Sequence, residues 1–174
     1  ENKLYVVIPC YNEEEVLPET SKRLKNKLEE LMEKGKIDRH SKIVFVNDGS
    51  KDRTWEIVEK LHEEDHIFSG INLSRNRGHQ NALLAGLMTA KNYADMVVSM
   101  DADLQDDINA VDEMVEKYLN GIDIVYGVRS ARTTDTFFKR FTENLAHISV
   151  YLLGGTVTHI HFCGHLDGSE NVVN

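Results

Sequence analysis

The chain has 174 residues, 41% of them hydrophobic and 28% charged, an ordinary composition for one globular domain with a real core. Its formal net charge of −9 argues against nonspecific nucleic-acid binding, which depends on Lys and Arg neutralising phosphates, although a local basic patch facing a membrane is compatible with it. No segment approaches the roughly 20 apolar residues of a membrane span, no secretory signal is visible, and the two cysteines, Cys10 and Cys163, fit a reducing compartment rather than a disulfide framework.

The first apolar run, Leu4 to Ile8, predicts a strand. A helix is expected from about Pro18 to Gly35, with Leu24, Leu28 and Leu31 at helical spacing. Ile43 to Val46 predicts a second strand, followed by a helix carrying Trp55, Val58 and Leu61. Ile67 to Leu73 reads as a third strand and Gly78 to Tyr93 as a helix rich in Ala and Leu. Met96 to Met100 is the fourth strand, and a helix with Val111, Met114, Val115 and Tyr118 follows. Ile122 to Tyr126 is the fifth strand. Strands alternating with helices imply an α/β fold with a mainly parallel sheet and helices on both faces. Ligands of such sheets bind beyond the carboxyl ends of the strands, so the polar residues there are the candidates.

The fourth strand end is the most informative. Asp101 and Asp103 sit one residue apart in Met100-Asp101-Ala102-Asp103-Leu104-Gln105-Asp106. Two acids there repel each other unless a cation or a set of donors satisfies them. In an extended stretch both point to one side, where they can share one metal, and Gln105 can add an amide oxygen. Hard oxygen ligands suit Mg²⁺ or Mn²⁺, whose usual partner is a phosphate. The bland alternative is a loop of exposed acids capping the next helix.

The other three strand ends raise the metal reading. The first carries Pro9, which stops the ladder, then Tyr11, a flat face for a base, and Glu13, an acceptor for base or ribose. An ordinary turn with an acidic helix start explains these residues too. The second carries Asn47-Asp48-Gly49-Ser50-Lys51-Asp52, in which Ser50 or Asp52 can cap the next helix while Asp48 faces the expected crevice. The third carries Arg75 and Arg77 before Gly78 at a helix start, a pattern suited to phosphate or to a solvated basic turn.

The four segments, Val7 to Glu14, Val46 to Thr54, Leu73 to Gln80 and Met100 to Asp106, in this order resemble a family 2 glycosyltransferase with the GT-A (nucleotide-diphospho-sugar transferase) fold. With Val125-Tyr126-Gly127-Val128-Arg129 and Phe137-Phe138-Lys139-Arg140 they resemble its polyprenyl-phosphate branch, that of the dolichol-phosphate mannose synthases and bactoprenol glucosyltransferases. The resemblance covers roughly residues 3 to 153 and implies a catalytic domain over 1–153. It implies inverting transfer from a UDP- or GDP-sugar to a polyprenyl phosphate at the cytoplasmic face of a membrane. Pro9, Tyr11, Glu13 and Asp48 would hold base and ribose, with Arg75, Gly78, Asp101 and Ala102 completing the nucleotide site. Asp101, Asp103 and Gln105 would bind Mg²⁺ or Mn²⁺, with Asp103 and Arg129 catalytic. Arg129, Lys139 and Arg140 would face the acceptor phosphate and the membrane, on a helix over Asp135 to Leu153 whose Phe137, Phe141, Leu145, Ile148 and Leu152 keep helical spacing. That stripe equally suits packing against a core.

The pattern breaks in places. Asn47 stands where many members have a second Asp, and Asp107-Ile108 replaces the usual prolines. The acceptor-side acid and Arg expected after Gly154-Gly155 are not recognisable, and Asp167 is disfavoured as a base. Residues 154–174 are expected to be an irregular tail that stops before membrane helices, and the start at Glu1 fits a piece of a longer protein. His159, His161, Cys163 and His165 alternate, but two-apart spacing is not a standard zinc pattern. Competing readings are a saccharide acceptor, a nucleotidyltransferase and a non-catalytic nucleotide-binding module. A dinucleotide oxidoreductase is disfavoured because no G-x-G-x-x-G follows the first strand. A homo-oligomer is left open.

Overall fold

In the computed structural model the apolar runs become strands of one sheet, and those over residues 4–8, 43–46 and 96–99 are covered on both faces and alternate between two cores. The structure describes residues 2–103, 108–128, 158–163 and 172–173. The elements in chain order are β1 (Leu4–Cys10), α1 (Leu17–Glu33), β2 (Lys42–Asn47), α2 (Thr54–Glu64), β3 (Phe68–Asn72) and α3 (His79–Ala90). They continue with β4 (Met96–Ser99), α4 (Ala110–Leu119), β5 (Ile124–Val128), β6 (Thr158–Cys163) and β7 (Val172–Val173). The strand order is β3-β2-β1-β4-β6-β5-β7, parallel except for the pairing of β5 with β7.

One core lies under α1, α2 and α4 and takes Val6, Ile8, Phe45 and Val98 from the strands. Leu24, Leu28 and Leu31 of α1 fill it and are almost fully buried. Each contributes roughly 1.5–3 kcal/mol by leaving water. The other core lies under α3 and takes Val7, Val44, Val46 and Val97. Gly86 lets α3 approach this face closely, since a Cβ there would lie 2.4 Å from Val7 Cγ1 and 2.8 Å from Val46 Cγ2. Helices therefore cover both faces, as the sequence implies.

Two boundaries and one segment depart from expectation. α3 stops at Ala90, and Tyr93 is 63% exposed in the following turn. β5 begins two residues late because the Ile122 amide is spent closing α4, donating to Lys117 O at 3.1 Å. Within the segment expected to be an irregular tail, Thr158–Cys163 form β6, inserted between β4 and β5. Its period-two alternation of His and apolar residues is the physical signal for a strand there. Among the described residues no helix is long and apolar enough to cross a membrane.

β1 pairs with β2 on one side and β4 on the other. Successive strands are added from β1 outward to β2 and β3 and then on its other side at β4, so the order reverses between β1 and β4 and a crevice is expected beyond their carboxyl ends.

Candidate active site

The loops after β1 and β2 are laced together. Asn12 adopts φ 55°, its amide donates to Ser50 Oγ at 3.0 Å, and its Oδ1 accepts from the Lys51 amide at 2.8 Å. The Glu13 amide donates to Thr54 Oγ1 at 2.8 Å and the Glu14 amide to Asp52 Oδ2 at 3.1 Å. Glu14 returns the tie by accepting from the Arg53 amide and Nε. Asp52 also accepts from the Thr54 amide at 3.0 Å and the Thr54 hydroxyl at 2.6 Å. Burial pushes the Asp52 carboxyl upward, but the Thr54 hydroxyl and amide and the Glu14 amide outweigh it and hold the group below its ordinary value. Asp52 thus braces the start of α2 as the sequence allows, whereas Ser50 serves the neighbouring loop instead.

A second set of ties joins the β2 end to the β3–α3 loop. Asp48 is 2% exposed, and its two oxygens accept from the Arg77 amide at 2.6 Å and the Gly78 amide at 2.9 Å. The carboxylate occupies the amides that sequence reasoning reserves for an incoming phosphate. Asn47 donates to Asn72 Oδ1 at 2.8 Å and accepts from the Ser50 amide at 3.2 Å. Gly49, at φ 66°, passes so close to the same loop that a Cβ would lie 2.4 Å from the Asn76 amide nitrogen. Only glycine fits that contact and that dihedral together.

Beside this scaffold lies a cleft of about 210 Å³ lined by Pro9, Glu13, His79, Asp101, Ala102 and Asp103. β4 reaches Ser99, and the Met100 amide still donates to Val7 O at 3.1 Å. Ala102 and Asp103 then lie in a turn rather than in extended chain, so period-two geometry is not what brings the acids together. The turn nonetheless sets both beside the same cleft. Burial raises the Glu13 carboxyl above its ordinary value, and the negative charges of Asp103, Asp52 and Asp101 add to the rise. His79, the first residue of α3, brings Nε2 to 3.6 Å from Asp101 Oδ1.

Of the residues expected from the sequence, Pro9, Glu13, Asp101, Ala102 and Asp103 therefore meet at one cleft. Tyr11 is 40% exposed on the adjoining loop, Arg75 is exposed, and Gly78 precedes α3 with its amide on Asp48. Gln105, Arg129, Lys139 and Arg140, the Asp135 to Leu153 helix and Asp167 lie outside the described residues. His79 lines the cleft without having been singled out. Its only sequence signal is its place directly after the Gly78 that opens a helix.

The acids fit a hard cation. Among the described residues no three His, Cys, Asp or Glu side chains form a ready-made cage. Two carboxylates with a third nearby suit an ion that keeps most of its ligands from water and phosphate, as Mg²⁺ does.

Comparison with known proteins bears on the family and the fold. The family model described as "Glycosyl transferase family 2" matches residues 5–165. A Bacillus subtilis (strain 168) protein, "Uncharacterized glycosyltransferase YkoT", is 52% identical over 139 residues, 80% of this chain and 41% of that protein. The "Prophage bactoprenol glucosyl transferase homolog" of Escherichia coli (strain K12) is 39% identical over 140 residues, 80% of this chain and 43% of that protein. The crystal structure of S. aureus TarS 1-349 matches with a TM-score of 0.52 at 23% identity, covering 79% of this chain and 40% of that one. At that identity the likeness is one of fold, and the fold is GT-A. The chain spans about two fifths of the length of these curated relatives.

Proposed function

The chain belongs to glycosyl transferase family 2, and from that premise we propose that it carries the donor-binding part of an enzyme that moves a sugar from a UDP- or GDP-sugar to a polyprenyl phosphate. The observation that carries the reading is the acidic cleft where β1 and β4 part, with Asp101, Asp103 and Glu13 around about 210 Å³. The relatives named bactoprenol glucosyl transferases support a lipid-linked acceptor.

The base and ribose would lie against Pro9, Tyr11 and Glu13 on a wall held by the ties described above. Asp48 would shape that wall by fixing the Arg75 to Gly78 loop. Asp101 and Asp103, with Gln105, would hold Mg²⁺ or Mn²⁺, which when bound offsets charge on the diphosphate. In the transfer, an oxygen of the acceptor phosphate forms the new bond to the sugar's anomeric carbon from the face opposite the diphosphate. The bond from that carbon to the diphosphate oxygen breaks, and its electron pair leaves with the nucleoside diphosphate. The attacking oxygen is already anionic, so no base has to remove a proton. Placement and electrostatics then supply most of the catalysis. Arg129, Lys139 and Arg140 would supply positive charge to the acceptor phosphate and the lipid surface, at the cytoplasmic face.

The test is transfer of labelled sugar from UDP- and GDP-hexoses to a polyprenyl phosphate in detergent with Mn²⁺, using this chain and its extended form. A lipid-phosphate-linked product is expected. Label appearing only on a saccharide acceptor would overturn the choice of acceptor.

A further inference from the structure

We propose that Thr20, which lies outside the cleft, positions the Asp101/Asp103 pair from behind. Thr20 sits in the first turn of α1, 1% exposed. Its hydroxyl lies 2.7 Å from Ala102 O and 3.0 Å from Val16 O. A hydroxyl has one proton to give. Val16 O already accepts the Glu19 amide at 3.1 Å and the Thr20 amide at 3.0 Å, so the proton is best spent on Ala102.

Ala102 is the residue between the two acids, and its carbonyl fixes the orientation of the peptide leading into Asp103. β4 has ended at Ser99, so no strand ladder holds this turn. The Ala102 side chain, 4% exposed, packs into the core under α1. Leu17, Leu24, Leu28 and Leu31 anchor α1 in the same core. A rigid helix, one buried hydroxyl and one carbonyl thus set where the paired carboxylates point. Groups that orient ligands from behind typically change metal affinity 10- to 100-fold when lost.

The inference rests on the metal–diphosphate reading of the cleft, and its test separates the two. Mn²⁺ binding is followed by electron paramagnetic resonance, and nucleoside diphosphate binding by calorimetry with and without Mn²⁺. The proteins are the unmodified chain, Thr20→Val, Thr20→Ser and Thr20→Ala. Thr20→Val keeps the shape and removes the donor. It should raise the Mn²⁺ midpoint about tenfold. Thr20→Ser keeps the donor and should restore the midpoint. Thr20→Ala, less crowded than Val, should repeat the defect should Thr20→Val fold poorly. A Thr20→Val midpoint equal to that of the unmodified chain overturns the positioning role and leaves the cleft reading intact. Thr20→Ser as impaired as Thr20→Val makes the role one of packing and also overturns it. Absence of Mn²⁺-dependent binding in the unmodified chain overturns both.

Discussion

Asp52 and Glu13 stand at the same edge of the sheet, and their carboxyl groups are pushed in opposite directions. Asp52 is half-buried yet held below its ordinary value, because the Thr54 hydroxyl and the Thr54 and Glu14 amides all donate to it. Glu13 is raised by burial and by the negative charges of Asp103, Asp52 and Asp101. One region, the loops after β1 and β2, has matched its acids to donors and gains rigidity. The other, the cleft between β1 and β4, gathers acids whose charges work against one another. Perturbed carboxyl groups gathered beside a cleft mark a candidate functional site. The contrast separates scaffold acids from functional acids within a few residues of each other.

The largest expected effect on stability falls on the scaffold. Asp48→Ala strips a charged acceptor from the Arg77 and Gly78 amides and should lower unfolding stability by about 2–3 kcal/mol, read from urea midpoints. Unchanged stability with weakened nucleotide binding would instead move Asp48 into the functional class.

A smaller loss, about 1–2 kcal/mol near neutral pH, is expected for Asp52→Ala. Because the folded carboxyl lies below its unfolded value, its contribution is complete above the unfolded value near pH 4 and fades as pH falls through the folded one. The deficit of the variant should therefore shrink on acidification. A deficit that grows as pH falls would break the assignment.

The smallest effect has the opposite sign. A raised carboxyl binds its proton more tightly in the folded protein, so ionising Glu13 costs stability as pH rises. Glu13→Gln should melt slightly higher than the unmodified chain at pH 7–8 and equally below about pH 4, where both states are protonated. Saturating Mn²⁺ should erase the advantage, since the ion supplies the compensating charge. A lower melting temperature at every pH would show Glu13 to be scaffold.

Much of this was legible in the sequence. Leu4 to Ile8, Ile43 to Val46 and Met96 to Met100 are continuous apolar runs, the mark of strands covered on both faces. Their polar ends had to gather at one edge of a parallel sheet, and Pro9, Glu13, Asp101, Ala102 and Asp103 do. Local patterns cannot show which partner a polar side chain chooses far along the chain. Asp48 bonds amides 29 and 30 positions away, Ser50 meets Asn12 across 38, and Thr20 reaches Ala102 across 82. β6 carries a period-two alternation of His and apolar residues, but so short a stretch commits to a strand only where β4 and β5 pair with it.

The central claim, that Asp101 and Asp103 hold a metal on a nucleoside diphosphate, is met most directly by calorimetric titration of UDP and GDP into this chain and into Asp103→Ala, with and without Mn²⁺. The account predicts that one of the two nucleotides binds the unmodified chain only with Mn²⁺. It also predicts that Asp103→Ala, folded to the same melting temperature or higher, loses that binding. Equal Mn²⁺-dependent affinity in the two proteins would contradict it.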